Sequence, residues 1–204
     1  MWAEPKIDVR VPFEPNGRLG EDYNRIMEES AHEWVLFLDH DVLIIHPCWY
    51  QVCQAAILNH PDAGIFTAWS NNIGNKKQQS PGAPTLRHSV ILHKNHGHRV
   101  WQMHKYACSN IDPHLIGGFF ILTSRTAWIK AGKFRGTGLL GEDNEYHRRM
   151  MACGLKTYRI NGIYALHLRE RGEPSWIPGV KTTVEFWREY KKRHEKNALH
   201  GDHR

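Results

Sequence analysis

The chain has 204 residues, 41% hydrophobic and 24% charged, which is ordinary for a globular protein and enough to bury one core. No apolar stretch approaches the length of a membrane span, which argues against an integral helical membrane protein. The net charge of +6 suits phosphate-bearing ligands, nucleic acid or a peripheral contact with an anionic membrane, without choosing among them. Cys48, Cys53, Cys108 and Cys153 show no paired-motif spacing and no signal peptide precedes them. The expectation is reduced thiols in a cytoplasmic protein.

In chain order, Ile7, Val9 and Val11 alternate with Asp8 and Arg10 and predict a strand that Pro12 ends. Glu14-Pro15-Asn16-Gly17 is a turn signal. A helix follows from about Gly20 to Ser30, with Leu19, Tyr23, Ile26 and Met27 turned inward. Trp34 to Ile45, WVLFLDHDVLII, is the most informative stretch. Its continuous apolar runs predict a strand buried on both faces of a parallel sheet. Asp39 and Asp41 within so much hydrocarbon are costly unless their charge is compensated, and a divalent cation at the strand's end does so. On an extended backbone the two would share one face, with His40 turned away; a surface turn with two solvated aspartates is the plainer alternative. Pro47 starts a helix carrying Trp49, Tyr50, Cys53, Ala56 and Ile57 on its apolar stripe. His60 to Gly64 ends it, and Ile65 to Trp69 is a second buried strand. Strand–helix alternation of this kind predicts an α/β sheet with mostly parallel strands.

Ser70 to Thr85 is polar and turn-forming and predicts a long mobile loop. Leu86 to Asn110 predicts helix in pieces. Its His93, His96 and His98 raise a zinc reading, although no cysteine or carboxylate lies close by and a solvated basic face accounts for them. Leu115 to Leu122 predicts a buried strand led by Gly117 and Gly118, a pair that marks close approach by a ligand or another backbone, or else a bulge. Ser124 and Gly132 bracket a short helix as N-cap and stop. Glu142, Asp143 and Glu145 open a helix running to Gly154, where the macrodipole alone favours acids. Lys156 to Ile160, an Asn161-Gly162 turn and Ile163 to Leu168 predict a hairpin delivering His167. Arg169, Arg171 and a Gly/Pro-rich segment with Trp176 follow. A basic helix over about 182–196 ends a single domain of 1–204.

The ordered set VLFLDHDV, IGGFFILTSRTAWIKAGKFRG, GEDNEYHRRMMACGLKTYRI and ALHL resembles the glycosyltransferases of the GT-A fold, most closely glycosyltransferase family 2. The resemblance spans roughly Leu19 to Arg171. It implies a Rossmann-like, mostly parallel central sheet flanked by helices. It also implies transfer of a sugar from a nucleotide-diphosphate sugar, with UDP or GDP as carrier, to a hydroxyl of a glycan or other acceptor. By that likeness Asp39 and Asp41 hold a divalent metal completed by His167. Gly117 and Gly118 shape the sugar and acceptor pocket with Trp69, Asn71 and Trp176. Asp143 is the catalytic base with Glu142 beside it. Pro12, Glu14, Gly20 and Asn24 fall to the nucleotide, and Arg169 and Arg171 to the diphosphate.

The residue types suit that chemistry on their own terms. A leaving diphosphate needs its charge neutralised, which a metal and arginines do. The acceptor hydroxyl needs a carboxylate base, and one base opposite the leaving group implies inversion. Two carboxylates and an imidazole suit Mn²⁺ better than Mg²⁺. Only 38 residues precede Asp39, so the expected fold is N-terminally shortened relative to the family, which places two strand–helix units there. Two alternatives stand beside this reading: a non-catalytic nucleotide-sugar or glycan-binding module, and a basic nucleic-acid-binding protein. The transferase reading expects no nucleic acid.

Overall fold

The computed structural model describes residues 4–13, 18–85, 89–135 and 141–168. Expectations for Glu14, Arg169, Arg171, Trp176 and the helix over about 182–196 lie outside the described residues. The chain divides into two units, Met1–Leu168 and Arg169–Arg204, and the described residues all belong to the first.

Seven strands are described: β1 (Ile7–Arg10), β2 (Trp34–Leu38), β3 (Val42–Ile44), β4 (Ala63–Ser70), β5 (Cys108–Asn110), β6 (Phe120–Ser124) and β7 (Lys156–His167). Five helices accompany them: α1 (Leu19–Glu29), α2 (Trp49–Asn59), α3 (Val90–His104), α4 (Arg125–Ala131) and α5 (Glu142–Ala152). The strands form one sheet in the order β1-β2-β6-β4-β7-β3, with β5 also paired to β7. It is mixed, not mostly parallel. Only β1–β2 and β4–β7 run parallel, while β6 lies antiparallel between β2 and β4. The strand–helix alternation that predicted parallel pairing holds only through β4. The chain then enters β6 from the end where β2 finishes, with Phe120 opposite Leu38, so β6 runs the other way.

The apolar run of β2 is continuous because both faces are covered. Val35 and Phe37 join a core with Tyr23, Met27, Trp128, Tyr146 and Met150 from α1, α4 and α5. Leu36 points into the opposite core, with Val52, Cys53, Ala56, Phe66 and Leu122. Each such side chain contributes about 1.5–3 kcal/mol on burial, so β2 anchors both layers. Four free cysteines, with Cys53 buried and Cys48 exposed, agree with the reading of unpaired thiols. Ser124 caps α4 by accepting from the Ala127 N–H at 3.0 Å, and Gly132, at φ 73°, stops it as expected.

Trp34 to Ile45 is two strands, not one. β2 and β3 stand well apart in the sheet order, yet three residues join them. Four residue steps span at most ~14 Å. The sheet must therefore curl until the far end of β7, which carries β3, returns toward the end of β2.

The predicted hairpin over 156–168 is one strand. Asn161-Gly162 is a bulge within β7: Ala68 pairs with Ile160 and the next residue, Trp69, pairs with Tyr164. The Asn161 N–H donates to the Ala107 carbonyl at 2.8 Å, and a Cβ on Gly162 would sit 1.7 Å from the Lys105 carbonyl oxygen. The glycine serves backbone approach at the end of α3, not a reversal.

Ser70 to Thr85, expected to be mobile, is stapled. Ser70 N–H donates to the Gln78 carbonyl at 2.7 Å and Ser80 N–H to the Ser70 carbonyl at 2.8 Å. Gln78 is fully buried; its amide donates to Thr67 Oγ1 at 2.7 Å and accepts from the Gly117 N–H at 2.7 Å. Polar composition here satisfies buried backbone instead of facing water. β6 begins at Phe120, so Gly117 and Gly118 lie in the turn ahead of it.

Gly162→Ala should destabilise the protein by about 3 kcal/mol, because its methyl meets rigid backbone. The shift of the urea unfolding midpoint relative to the wild-type chain checks this.

Candidate active site

Two backbone hydrogen bonds build the site. The Asp39 N–H donates to the Phe119 carbonyl at 3.2 Å, continuing the β2–β6 ladder by one rung. The Leu168 N–H donates to the Asp41 carbonyl at 2.9 Å, extending the β3–β7 pairing. Between them Asp39-His40-Asp41 is a turn closed by Val42 N–H to the Asp39 carbonyl at 3.1 Å, not the extended segment the spacing predicts. His40 is exposed, as expected.

The turn still brings both carboxylates to one imidazole. His167 Nε2 lies 3.3 Å from Asp41 Oδ1 and 3.9 Å from Asp39 Oδ2. Asp41 is buried, and Asp39 and His167 are half-buried. Nδ1 of His167 is 3.0 Å from the Asn72 carbonyl, which can only accept. The proton of a neutral ring therefore sits on Nδ1, and the Nε2 lone pair faces the carboxylates. Asn71 holds the strand end from both sides: its Oδ1 accepts from the His167 N–H at 2.7 Å, and its Nδ2 donates to the His167 carbonyl at 3.1 Å. The Phe119 ring stacks near the imidazole at 6.0 Å.

The three donor atoms lie within 4.8 Å of one another, and no other such group of His, Cys, Asp or Glu occurs among the described residues. Two oxygens and one oriented imidazole nitrogen at this spacing fit one divalent ion. Without an ion, the charges lean on each other. Burial raises Asp39, with Asp41 adding to it and His167 opposing. Burial also works to raise Asp41, but His167 outweighs it and the carboxyl stays below its usual range. Burial works to lower His167, and the two aspartates reverse that, so it ends raised.

The histidines of α3 do not form a zinc site. His93 Nδ1 meets Tyr164 Oη at 2.7 Å, His96 Nε2 meets Ser80 Oγ at 2.8 Å, and His98 stacks toward His46. Two of the three are buried packing on β7 instead of a solvated face.

Asp143 approaches from the other side. Gly141, at φ 93°, turns the chain into α5, and Asp143 falls in its first turn. The Asn144 N–H donates to Asp143 Oδ1 at 2.8 Å, and the Gly118 N–H donates to the same carboxylate. A Cβ on Gly118 would come within 3.1 Å of Asp143 Cβ, so the glycine admits this acid. Gly117 instead makes room for Ile73, whose Cδ1 would lie 2.4 Å from an added Cβ. The macrodipole was expected to lower Asp143. Burial prevails, with the Asp39 charge adding to it, and lifts the carboxyl to about 6 against the pull of the Asn144 and Gly118 hydrogen bonds. Glu142 beside it is buried, at 4% exposure.

Asn24 spends its amide inside the protein: Nδ2 donates to the Phe134 carbonyl at 2.7 Å, and Oδ1 accepts from the Phe134 N–H and the Trp128 Nε1–H. Gly20 is buried in α1. Pro12 is half-buried just past β1, next to Phe13, whose N–H donates to Asp22. Trp69 lies beneath the Arg159 guanidinium at 3.3 Å. Sequence reasoning missed Asn72, Gln78 and Phe119, which act through a carbonyl, a buried amide and a carbonyl-plus-ring. Nothing in residue type signals the first or third, and Gln78 stands in the stretch read as a mobile loop.

No protein-family model matches the sequence, and no curated protein matches it. Among solved structures, the chain is similar to GalNAc-T7 with UDP, GalNAc and Mn²⁺, at 12% identity and TM-score 0.48, covering 74% of this chain and 30% of that one. It is also similar to a Drosophila β-1,4-galactosyltransferase 7 variant in complex with manganese, UDP-Gal and xylobiose. That match has 11% identity and TM-score 0.51 and covers 90% of this chain and 79% of that one. The fold is GT-A-like. At this identity the likeness is one of fold. Within the GT-A-like frame the Asp39–Asp41–His167 group and Asp143 meet at the carboxyl end of β2, where β6 begins and β7 ends.

If Asn71 fixes His167, Asn71→Ala should weaken Mn²⁺ binding by about 10–100-fold, the scale of lost outer-shell support. Asp41→Ala should abolish it. Calorimetric titration with MnCl₂ reads both.

Proposed function

We propose that this protein is a metal-dependent glycosyltransferase that moves a sugar from a nucleotide-diphosphate sugar to an acceptor hydroxyl with inversion. One observation carries the reading: three side chains able to hold a divalent ion and a half-buried carboxylate held by Gly118 stand close enough that the Asp39 charge raises Asp143. Metal binding alone would not require a second acid there.

Asp39, Asp41 and His167 would hold the ion, with Mn²⁺ favoured over Mg²⁺ because one ligand is nitrogen. When bound, the ion neutralises charge on a diphosphate leaving group. Asp143 accepts the proton of the acceptor hydroxyl as the new sugar–oxygen bond forms, and the Gly118 and Asn144 N–H groups fix its orientation. Glu142 supports the helix start. Arg169 and Arg171 are assigned to the diphosphate and Trp176 to cover over the site, all outside the described residues. The donor class is a UDP- or GDP-sugar and the acceptor a glycan. Support for both comes from a fold neighbour that carries manganese, UDP-Gal and xylobiose. No helix among the described residues is long and apolar enough to cross a membrane. The free thiols are in keeping with a reducing, cytoplasmic setting.

Release of nucleotide from a panel of UDP- and GDP-sugars with Mn²⁺ and glycan acceptors tests the proposal; silence across the panel, with folded protein that binds Mn²⁺, would leave a binding module. In that assay Asp143→Asn should fold and bind Mn²⁺ while transfer falls roughly a hundredfold or more. Glu142→Gln should cost less. If the Glu142 variant is dead and the Asp143 variant active, the base is on the wrong carboxylate.

The raised pKa adds a pH signature. A base works only when ionised, and Asp143 sits at about 6, so the transfer rate should drop as pH falls through that value and level off above it. Bound metal eases the Asp39 repulsion, which moves the limb lower. A rate profile flat from pH 7 to 5 contradicts Asp143 as base.

A further inference from the structure

A second polar cavity, of about 290 Å³, opens against β5 and the first half of β7. Lys77, Ser109, Asn110, Asp112, His114 and Arg159 line it. None of them belongs to the Asp39–Asp41–His167–Asp143 group.

Arg159 is the unusual member. It is 9% exposed, and its guanidinium carbon lies over the Trp69 ring, 3.3 Å from the centroid. Its Nε donates to Asn161 Oδ1 at 2.9 Å and its Nη1 to the Lys77 carbonyl. Asn161 is itself fixed, with Nδ2 donating to Ser109 Oγ at 2.8 Å. Every one of these partners is neutral. The one carboxylate in the lining, Asp112, is turned to other donors: His147 Nε2 at 2.9 Å and the Thr157 N–H at 3.0 Å. Burial alone lowers Arg159, to about 10, with no anionic neighbour among the described residues raising it.

A buried guanidinium without a counter-charge is costly, and an apolar side chain of similar length would pack on Trp69 without that cost. Guanidinium has five N–H donors in a rigid fork; Asn161 takes the Nε–H and the Lys77 carbonyl one Nη1–H, which leaves the Nη1/Nη2 end for a further acceptor. Trp69 and Asn161 hold its plane where Arg159 lines the cavity together with exposed Lys77 and His114.

We propose that this cavity is a binding site for the oxyanion group of a small ligand, a phosphate, sulfate or carboxylate, held by Arg159 and assisted by Lys77. The fork geometry matches two oxygens of such a group, and cavity walls from Ser109 and Asn110 supply neutral hydrogen bonds to what it is attached to. Its lining shares no residue with the Asp39–Asp41–His167–Asp143 group, and the site needs no metal.

Calorimetric titration of the full chain with inorganic phosphate, sulfate and acetate, at constant ionic strength in chloride and with chelator present, tests it. At least one anion should bind the wild-type chain with a dissociation constant of about 1 mM or tighter. Lys77→Ala should weaken binding roughly fivefold, Lys77→Glu should abolish it, and Arg159→Gln should abolish it. The rank of phosphate and sulfate against acetate tells a tetrahedral ligand from a planar one. Asp39→Ala should leave the affinity unchanged, which separates this site from the transferase reading. Absence of binding by all three anions overturns the proposal, as does undiminished affinity in Lys77→Glu. Because Lys77 is exposed, its variants keep the test sound even if Arg159→Gln fails to fold.

Discussion

The described fold depends on one short connection. Three residues, Asp39-His40-Asp41, leave the end of β2 and deliver the chain to β3 across a curled sheet, each aspartate tied by its backbone to a different partner strand. The tie at Asp39 is to Phe119, immediately after Gly118; the tie at Asp41 is to Leu168, immediately after His167. Neither tie uses a side chain. Backbone pairing alone thus places two carboxylates beside an imidazole and one residue away from the glycine that receives Asp143. Hydrogen bonds of this kind are modest in net energy but expensive to break when buried, so the geometry is held firmly.

That placement concentrates like charge. Asp39, Asp41, Glu142 and Asp143 converge from two directions, and the buried Tyr23 hydroxyl feels three of them, with its acidity suppressed chiefly by burial and then by Asp39, Asp143 and Glu142. Such a cluster is stable only because compensation is built around it: His167 between the two aspartates, and N–H groups of Gly118 and Asn144 on Asp143. The compensation is incomplete at Asp39 and Asp143, both of which remain raised. The proposed divalent cation would complete it, at the cost of some stability in its absence.

Much of this is legible in the sequence because it rests on strong local signals. Apolar runs interrupted by paired aspartates, a serine cap before α4, acids opening α5 and a histidine inside an apolar strand each identify their element without tertiary help. What escaped is what strand order decides. The antiparallel insertion of β6 between β2 and β4 follows from where the chain returns after β5, which no periodicity records. The nucleotide-side residues Pro12, Gly20 and Asn24 were transferred by likeness, and the Asn24 amide is spent holding Phe134 and Trp128.

Asn161-Gly162 and the polar stretch after β4 show why local chemistry can mislead in one direction. Both carry turn residues, which sequence reasoning reads as a hairpin turn and a mobile loop; the backbone does leave regular pairing at each. In each case the departure faces inward. Gly162 gives up its side chain so that the carbonyl of Lys105 can approach, and Gln78 gives its amide to the backbone of Gly117. A residue that satisfies buried backbone looks, in one dimension, the same as one that faces water. The distinction is functional as well as structural, because the stretch of Asn71, Asn72 and Gln78 read as a loose loop holds His167 on one side and the glycine turn beside Asp143 on the other. Rigid support of that kind keeps the proposed metal ligands and base in register, which a mobile loop would not do.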